Sequence, residues 1–269
     1  MKMLRYLISK SDFMLGKSTP SSIGNVSKYT NGLQWVKLND LGYEDIAEVW
    51  TTEILKISNI KDYVPYRLCS FDGVDGCISE NFLKPGEQLY PLGKILYLCG
   101  ITQSYLDDRK FSTQDRFNIV VDAVKSSIGL DITEYLSNTL LLDALILNED
   151  RHLYNLAVIK DTRGGFRCAP IFDNGASFLS DTSYYPSYVP TAVLVRKVKA
   201  EPFSSSFKKQ IATLNPTLKI DKDAYLKLME DAPNDRIAYI MRQSLIKYPT
   251  VFVNLQSNSS GSQAEVNSF

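Results

Sequence analysis

The sequence predicts an α+β fold in two lobes: a small, strand-rich amino-terminal lobe with one helix, and a larger, mostly helical carboxy-terminal lobe. Two observations support this. Strand-like segments surround a single amphipathic helix before Lys84, and helical periodicity dominates after it. With 269 residues, of which 44% are apolar, the chain can bury a core of this size. We therefore expect a first lobe over residues 1–83, a second over 84–255, and a disordered tail over 256–269.

The elements of the amino-terminal lobe follow from alternating apolar residues and turn-forming residues. Apolar residues in 33–38 suit a half-buried strand, and Ile46, Trp50 and Ile54 recur at helical spacing. Gly, Ser, Thr and Asn dominate residues 16–32, a composition typical of a loop. The predicted elements are a strand over 4–9, this loop, the strand over 33–38, a helix over 44–57, a strand over 64–71, a turn over 72–76 and a short strand over 77–79.

The carboxy-terminal lobe is predicted mainly from helical periodicity, interrupted by one hairpin and one long loop. The predicted elements are helices over 115–127, 132–147, 223–230 and 235–246, a hairpin of 156–159 with 165–168, and a loop rich in Ser, Tyr and Pro over 180–190.

Charge and cysteine content argue against several classes of protein. The 30 basic and 30 acidic residues balance, so we expect no direct binding to nucleic acid or to a membrane surface. No apolar stretch approaches the length needed to cross a bilayer, and the first ten residues are predicted to form a strand, not a signal peptide. The four scattered cysteines favour free thiols in a reducing cytoplasm, although a secreted effector remains open.

Two segments carry the residues that chemistry would need. Asn148 to Asn155 reads N-E-D-R-H-L-Y-N and places Asp150 five residues before Asn155. The segment I-F-D-N-G then places Asp173 after an apolar pair and close to Gly175, which permits a sharp turn. One carboxylate can orient a hydroxyl group for attack, while an amide oxygen and a second carboxylate hold Mg²⁺ on nucleotide phosphates.

This arrangement resembles the catalytic loop and the D-F-G turn of protein kinases, in which a base Asp precedes a metal-binding Asn by five residues. It predicts an ATP- and Mg²⁺-dependent phosphotransferase with Asp150 as the base and with Asn155 and Asp173 as metal ligands. The plainer interpretation is a helix-ending turn and a surface D-N-G hairpin. The apolar run before Asp173 argues against that hairpin.

The residue order resembles a narrower family. N-x-D-R-H-x-x-N followed by F-D-N-G is similar to the HipA-like serine/threonine kinases, and more distantly to phosphoinositide-kinase catalytic loops. The resemblance extends to L-L-L-D-A-L-I-L-N (140–148) and G-C-I-S-E-N-F-L (76–83), and it covers roughly residues 35–180. It implies a two-lobed, protein-kinase-like fold that uses ATP and Mg²⁺.

The resemblance also implies a phosphate-binding lysine that pairs with a glutamate. Lys37 lies on a predicted strand ahead of a helix that bears acidic residues. Glu48 matches the family best by its distance from the end of that helix, and Glu44 and Glu53 are the alternatives. Without the motifs downstream, a lone lysine on a strand would simply be solvated.

Supporting roles follow from the same resemblance. His152, the only histidine, would hold the catalytic loop through hydrogen bonds. Arg151 would pair with an acidic neighbour, and Asp143 would brace either the loop backbone or Arg151. The segment between the lobes would contact the nucleotide through Ser79, Glu80 and Phe82.

The phosphate-covering loop lacks G-x-G-x-x-G, and Gly24 with Asn25 is the candidate to cradle phosphates through backbone N–H groups. A Walker A motif ending in Gly16-Lys17-Ser18 is rejected because Ser11 stands where its first glycine should be. The resemblance makes this segment a candidate for self-phosphorylation, with a flexible polar loop as the plainer interpretation. The candidate acceptors are Ser18, Ser21, Ser22 and Ser27.

The predicted function is a serine/threonine protein kinase that acts on a protein substrate. A lipid or small-molecule kinase and a pseudokinase that serves as an interaction module are the alternatives. HipA-type toxins carry an extra amino-terminal subdomain, so we expect that piece to be missing or supplied by a small partner chain. Whether the protein is a toxin component, a stand-alone bacterial kinase or an effector is left open.

Overall fold

A computed structural model describes residues 4–16 and 27–255 and confirms the α+β fold with a sheet-rich and a helical part. A six-stranded sheet has the order β1-β5-β6-β4-β3-β2, and all neighbouring strands are antiparallel except the parallel pair β1–β5. Its strands are β1 (Tyr6–Ile8), β2 (Met14–Leu15), β3 (Lys28–Thr30), β4 (Gln34–Leu38), β5 (Arg67–Phe71) and β6 (Val74–Glu80).

Two predictions in this sheet were wrong. The segment predicted as a loop over 16–32 contains β3, which pairs with β4. The turn predicted over 72–76 is only Asp72 and Gly73, whose φ angles of 47° and 86° allow a tight two-residue hairpin. Strand β6 therefore begins at Val74, earlier than its polar composition suggested.

Helix α1 (Glu44–Lys56) joins the two parts of the molecule. One side packs on the sheet through Val49, while Trp50 and Ile54 enter the core of the helical part. Trp50 is fully buried, and its indole N–H lies 3.1 Å from the Met241 sulfur. Because one helix contacts both cores, its position relative to the sheet and to the helices is fixed by packing on two sides.

The helical part contains a small antiparallel sheet of three strands, β7-β8-β9, and a two-stranded parallel pair, β10–β11. Among the described residues, no helix is both long and apolar enough to cross a membrane. The elements are β7 (Gln88–Pro91), α2 (Leu92–Leu98), α3 (Gln103–Leu106), α4 (Thr113–Ile128), α5 (Thr133–Ile146), β8 (Ala157–Lys160), β9 (Phe166–Cys168), α6 (Thr191–Leu194), α7 (Phe207–Ile211), β10 (Ile220–Asp221), α8 (Lys222–Glu230), α9 (Asp235–Lys247) and β11 (Phe252–Val253).

Helix α5 leads directly into the segment 148–155. All its residues from Leu136 to Ile146 are buried, on every side of the helix, as expected for the centre of a helical core. Leu147 ends it in the left-handed conformation, with φ of 56°. The Asn148 N–H still bonds to the Asp143 carbonyl at 2.9 Å, so the segment leaves the helix at a defined angle.

A buried guanidinium ties that segment to its neighbours. Arg151 has no exposed surface, and its Nε and one terminal nitrogen donate to the Asp143 carboxylate at 3.0–3.2 Å. Its other donors reach the carbonyl of Asn155 at 3.2 Å, the carbonyl of Phe172 at 2.7 Å and the Asn174 side-chain oxygen at 2.6 Å. Arg151 thus holds helix α5, the segment 148–155 and the turn after Phe172 in one network.

Replacement of Arg151 by Met should lower the free energy of unfolding by about 3–5 kcal/mol, because the Asp143 carboxylate would be left buried without its cation. Urea denaturation at unchanged m value measures the loss. Adding Asp143→Leu to Arg151→Met should recover part of it. Arg163→Met, at an exposed position in the β8–β9 hairpin, is the control. A loss no larger than in this control would contradict the assignment.

Candidate active site

A cleft of about 250 Å³ lies where strands β3 and β4, helix α1 and the segments around 150 and 173 meet. A narrower recess of about 90 Å³ adjoins it, and the two share Lys28, Lys37 and Asp173. Lys37, Glu48, Asp150, Asn155 and Asp173 all line the larger cleft. The tertiary structure therefore brings together five residues that lie up to 136 positions apart in the chain.

Lys37 is paired with Glu48. Its Nζ lies 2.5 Å from Glu48 Oε1, and the other oxygen of Glu48 accepts the Asn174 N–H at 2.9 Å. The alternatives are occupied elsewhere: Glu44 accepts two backbone N–H groups at the start of α1, and Glu53 pairs with Lys56. Glu48 thus fixes the lysine and the turn after Asp173 together.

Asp173 sits in a strained turn between two lysines. Its φ of 59° is unusual for a residue other than glycine, although Asp and Asn tolerate it best. Its Oδ1 lies 2.7 Å from Lys37 Nζ, and its Oδ2 lies 3.6 Å from Lys28 Nζ. Burial alone would raise the pKa of Asp173, but Lys37 and Lys28 outweigh it and hold that pKa well below its ordinary value.

Lys37 shows the reciprocal effect. Burial by itself would lower the pKa of this ammonium group, but the carboxylates of Asp173 and Glu48 outweigh burial and raise the pKa. Lys37 therefore carries its charge at neutral pH. Its Nζ also lies 4.9 Å from the centre of the Tyr66 ring, a second favourable contact for a buried cation.

The side-chain amide of Asn155 has a hydrogen-bond partner at its nitrogen but none at its oxygen. Its side-chain nitrogen donates to the Asp150 carbonyl at 2.9 Å, which fixes which way the amide points. Its Oδ1 is buried and has no hydrogen-bond partner. A buried oxygen without a hydrogen-bond partner lowers the stability of the fold. It is therefore a candidate atom for binding a ligand.

Two side chains that line this cleft offer oxygen donors that suit Mg²⁺. An amide oxygen of Asn155 and a carboxylate of Asp173 are the hard oxygen ligands that Mg²⁺ prefers, usually together with phosphate oxygens and water. No group of three or more His, Cys, Asp and Glu side chains that could hold a metal ion occurs within 4–16 and 27–255. The residues therefore fit a metal ion that arrives with phosphate, not one held by protein alone.

Asp150 faces the open side of the cleft, with 53% of its side chain accessible. Partial burial in the cleft, which disfavours the charged form, raises the pKa of its carboxyl group; His152 opposes this shift and Asp173 adds to it. His152 Nε2 lies 3.8 Å from the Asp150 carboxylate, and its Nδ1 accepts the Tyr154 N–H at 3.2 Å. The histidine thus helps to fix the conformation of the loop. The Asp150 carboxylate stays accessible to solvent and to a molecule that enters the cleft.

The narrower recess is lined by Ser79 and Phe82, two of the residues expected to contact a nucleotide. The Phe82 and Phe172 rings lie 5.6 Å apart there. Glu80 does not line this recess. Its side chain points away from the recess and bonds to Gln34 and Arg67 at the surface, because successive side chains of a strand face opposite sides of the sheet.

The predicted phosphate-covering loop lies largely outside the described residues. Gly24 and Asn25 fall there, as do Ser18, Ser21 and Ser22, and so does the predicted tail 256–269. Ser27 is described and lies next to the start of β3, where its N–H donates to Asp40 at 3.2 Å.

Lys28 is one of the cleft residues that sequence reasoning missed. It lies in a stretch whose Ser, Thr, Asn and Gly content predicted a loop. The available signal was weak: Lys28 and Thr30 flank Tyr29 with the period of two that a short strand would show. Only its pairing with β4 shows that its side chain joins Lys37 at the cleft.

Comparison with known proteins supports the architecture. No protein-family model matches the sequence, and no curated protein matches it. Among solved structures, the chain is similar to the Helicobacter pylori proinflammatory kinase CtkA, with a TM-score of 0.59 and 13% identity over 92% of this chain and 95% of that chain.

A second similar structure is HipA of Shewanella oneidensis MR-1, from a toxin–antitoxin complex with HipB and operator DNA. Its TM-score is 0.43 at 15% identity, and the match covers 90% of this chain and 61% of that chain. The likeness to CtkA, at nearly full coverage of both chains, shows that this chain has a kinase-like fold.

Proposed function

We propose that the protein is an ATP- and Mg²⁺-dependent serine/threonine protein kinase of HipA-like type. The observation that carries the proposal is the convergence of Asp150, Asn155, Asp173 and the Lys37–Glu48 pair on one cleft. These side chains supply the groups that phosphoryl transfer needs: a residue to orient the acceptor, ligands for a metal ion and a cation for phosphate. The likeness in fold to a kinase supports the same activity.

In the proposed reaction each of these groups has a role. The acceptor oxygen forms a bond to the terminal phosphorus of ATP, the bond from that phosphorus to the bridging oxygen breaks, and ADP leaves. Asp150 orients the acceptor hydroxyl and takes its proton. Lys37, held by Glu48, stabilises negative charge on the phosphates. Asn155 Oδ1 and Asp173 would hold Mg²⁺, which supplies further neutralisation of phosphate charge.

The proposed acceptor is a hydroxyl of a protein serine or threonine, including serines of this chain. Asp150 is half exposed at the edge of the cleft, so a polypeptide segment can approach its carboxylate from solvent. Ser27 lies one position from Lys28, a residue of the cleft wall, and it belongs to the Ser/Thr-dense segment that we propose for self-phosphorylation. Phosphate there would add negative charge beside the nucleotide phosphates and oppose their binding.

The test is incubation of the purified protein with γ-labelled ATP and Mg²⁺, alone and with a generic protein substrate, followed by mass spectrometry. We expect label on Ser or Thr, including one or more of Ser18, Ser21, Ser22 and Ser27. Asp150→Asn should reduce transfer by a factor on the order of 10²–10⁴ and leave nucleotide binding intact.

Asp122→Asn, an exposed position on helix α4, is the matched control and should behave like the wild type. Absence of any labelled product, together with normal nucleotide binding, would support the pseudokinase alternative. Label on lipid or a small-molecule hydroxyl, but not on protein, would support the alternative of a lipid or small-molecule kinase.

The pH dependence of kcat/KM should report Asp150. The pKa of this carboxyl group is raised in the cleft, and the acceptor proton can be taken only by its ionised form. Activity should therefore fall on the acid side with an apparent pKa above the ordinary aspartate value of about 3.9. An acid limb at or below that value would contradict the assignment of Asp150 as the titrating base.

A further inference from the structure

Two lysines face each other across strands β3 and β4. Lys28 is directly opposite Lys37 in the antiparallel register, and both side chains line the cleft. They are 18% and 14% exposed, so water screens them poorly. Like charges directly opposite each other destabilise a sheet. The fold therefore gains nothing from this pair, and the pair needs another explanation.

The two lysines differ in their partners. Lys37 has a carboxylate of its own in Glu48, in addition to Asp173. The only salt bridge of Lys28 with any residue of 4–16 or 27–255 is with Asp173, at 3.6 Å. Asp173 thus neutralises both lysines, with one oxygen directed at each. This is the carboxylate that the proposed function assigns to the metal ion.

Lys28 and a metal ion would compete for the Asp173 carboxylate. A divalent cation held by this carboxylate would be close to the ammonium of Lys28, and the two positive charges would repel each other. A nucleotide triphosphate brings negative oxygens into the same cleft and gives the ammonium a new partner. Arrival of the nucleotide therefore releases Asp173 for the metal.

We infer that Lys28 is a charge-exchange residue: it neutralises Asp173 in the empty cleft and moves to the nucleotide phosphates when the metal–nucleotide complex binds. The inference rests on the proposed function, since it assumes that the cleft binds nucleotide. Lys28 then has two effects of opposite sign. It weakens binding of metal alone, and it strengthens binding of nucleotide alone.

The test measures the two ligands separately on the whole chain. Mn²⁺, as a probe for the metal, is titrated into nucleotide-free protein and followed by the electron paramagnetic resonance signal of the free ion. A fluorescent ATP analogue is titrated in EDTA. Lys28→Met should bind Mn²⁺ about tenfold more tightly and the metal-free nucleotide about tenfold more weakly, the effect expected for one charged contact.

Lys84→Met, at an exposed position beyond the cleft, is the matched control and should match the wild type in both titrations. Lys28→Gln is a second neutral variant and should repeat the result. Neutralising Lys28 removes both its repulsion with Lys37 and its ion pair with Asp173, two effects of opposite sign, so the melting temperature should change little in either variant. Adding Asp173→Asn to Lys28→Met should abolish the gain in Mn²⁺ binding, because that gain depends on the carboxylate.

Unchanged affinities in Lys28→Met, or a parallel loss of both, would overturn the charge exchange while leaving the proposed kinase function intact. A wild-type protein that binds neither Mn²⁺ with nucleotide nor nucleotide alone would instead refute the proposed function itself.

Discussion

The arrangement of the cleft depends on one buried guanidinium. Arg151 has five N–H donors, and they reach the Asp143 carboxylate, two backbone carbonyls and the Asn174 side chain. Its planar, forked geometry can serve acceptors in several directions at once, which an ammonium group on a flexible stem cannot do in the same way. Burial of such a charge is tolerated only because every donor is used. The segment with Asp150 and the turn with Asp173 are consequently held against each other.

Several polar groups of the cleft lack a full set of partners, although Arg151 holds the surrounding backbone in place. Lys28 and Lys37 share the carboxylate of Asp173, the oxygen of Asn155 has no partner, and the backbone of Asp173 is strained. Each feature costs stability in the isolated chain. In the proposed function the Asn155 oxygen, which has no partner, could accept a cation without rearrangement, whereas Lys28 and Asp173 would have to exchange partners. Strain of this kind is expected where structure is organised for a ligand.

The likeness to CtkA at 13% identity shows that the fold alone is compatible with very different sequences. The support for chemistry comes instead from particular side chains and their geometry. Helix α1 illustrates the connection, because the same helix packs Trp50 into the helical core and presents Glu48 to Lys37. Because the position of α1 is fixed, Glu48 can hold Lys37 on the sheet and the Asn174 N–H after β9 in one hydrogen-bonded group.

The sequence by itself determined the local features of this protein. The spacing of Asp150 and Asn155 and the apolar approach to Asp173 lie within short segments, so a chemical role could be proposed for them without a partner element. The tertiary structure alone decided which side chains meet. Lys28 reaches the cleft only through its register with β4, Glu80 faces outward because strand side chains alternate, and Glu48 meets Lys37 because of how α1 is rotated. Such choices depend on long-range pairing and packing, which a linear pattern does not specify.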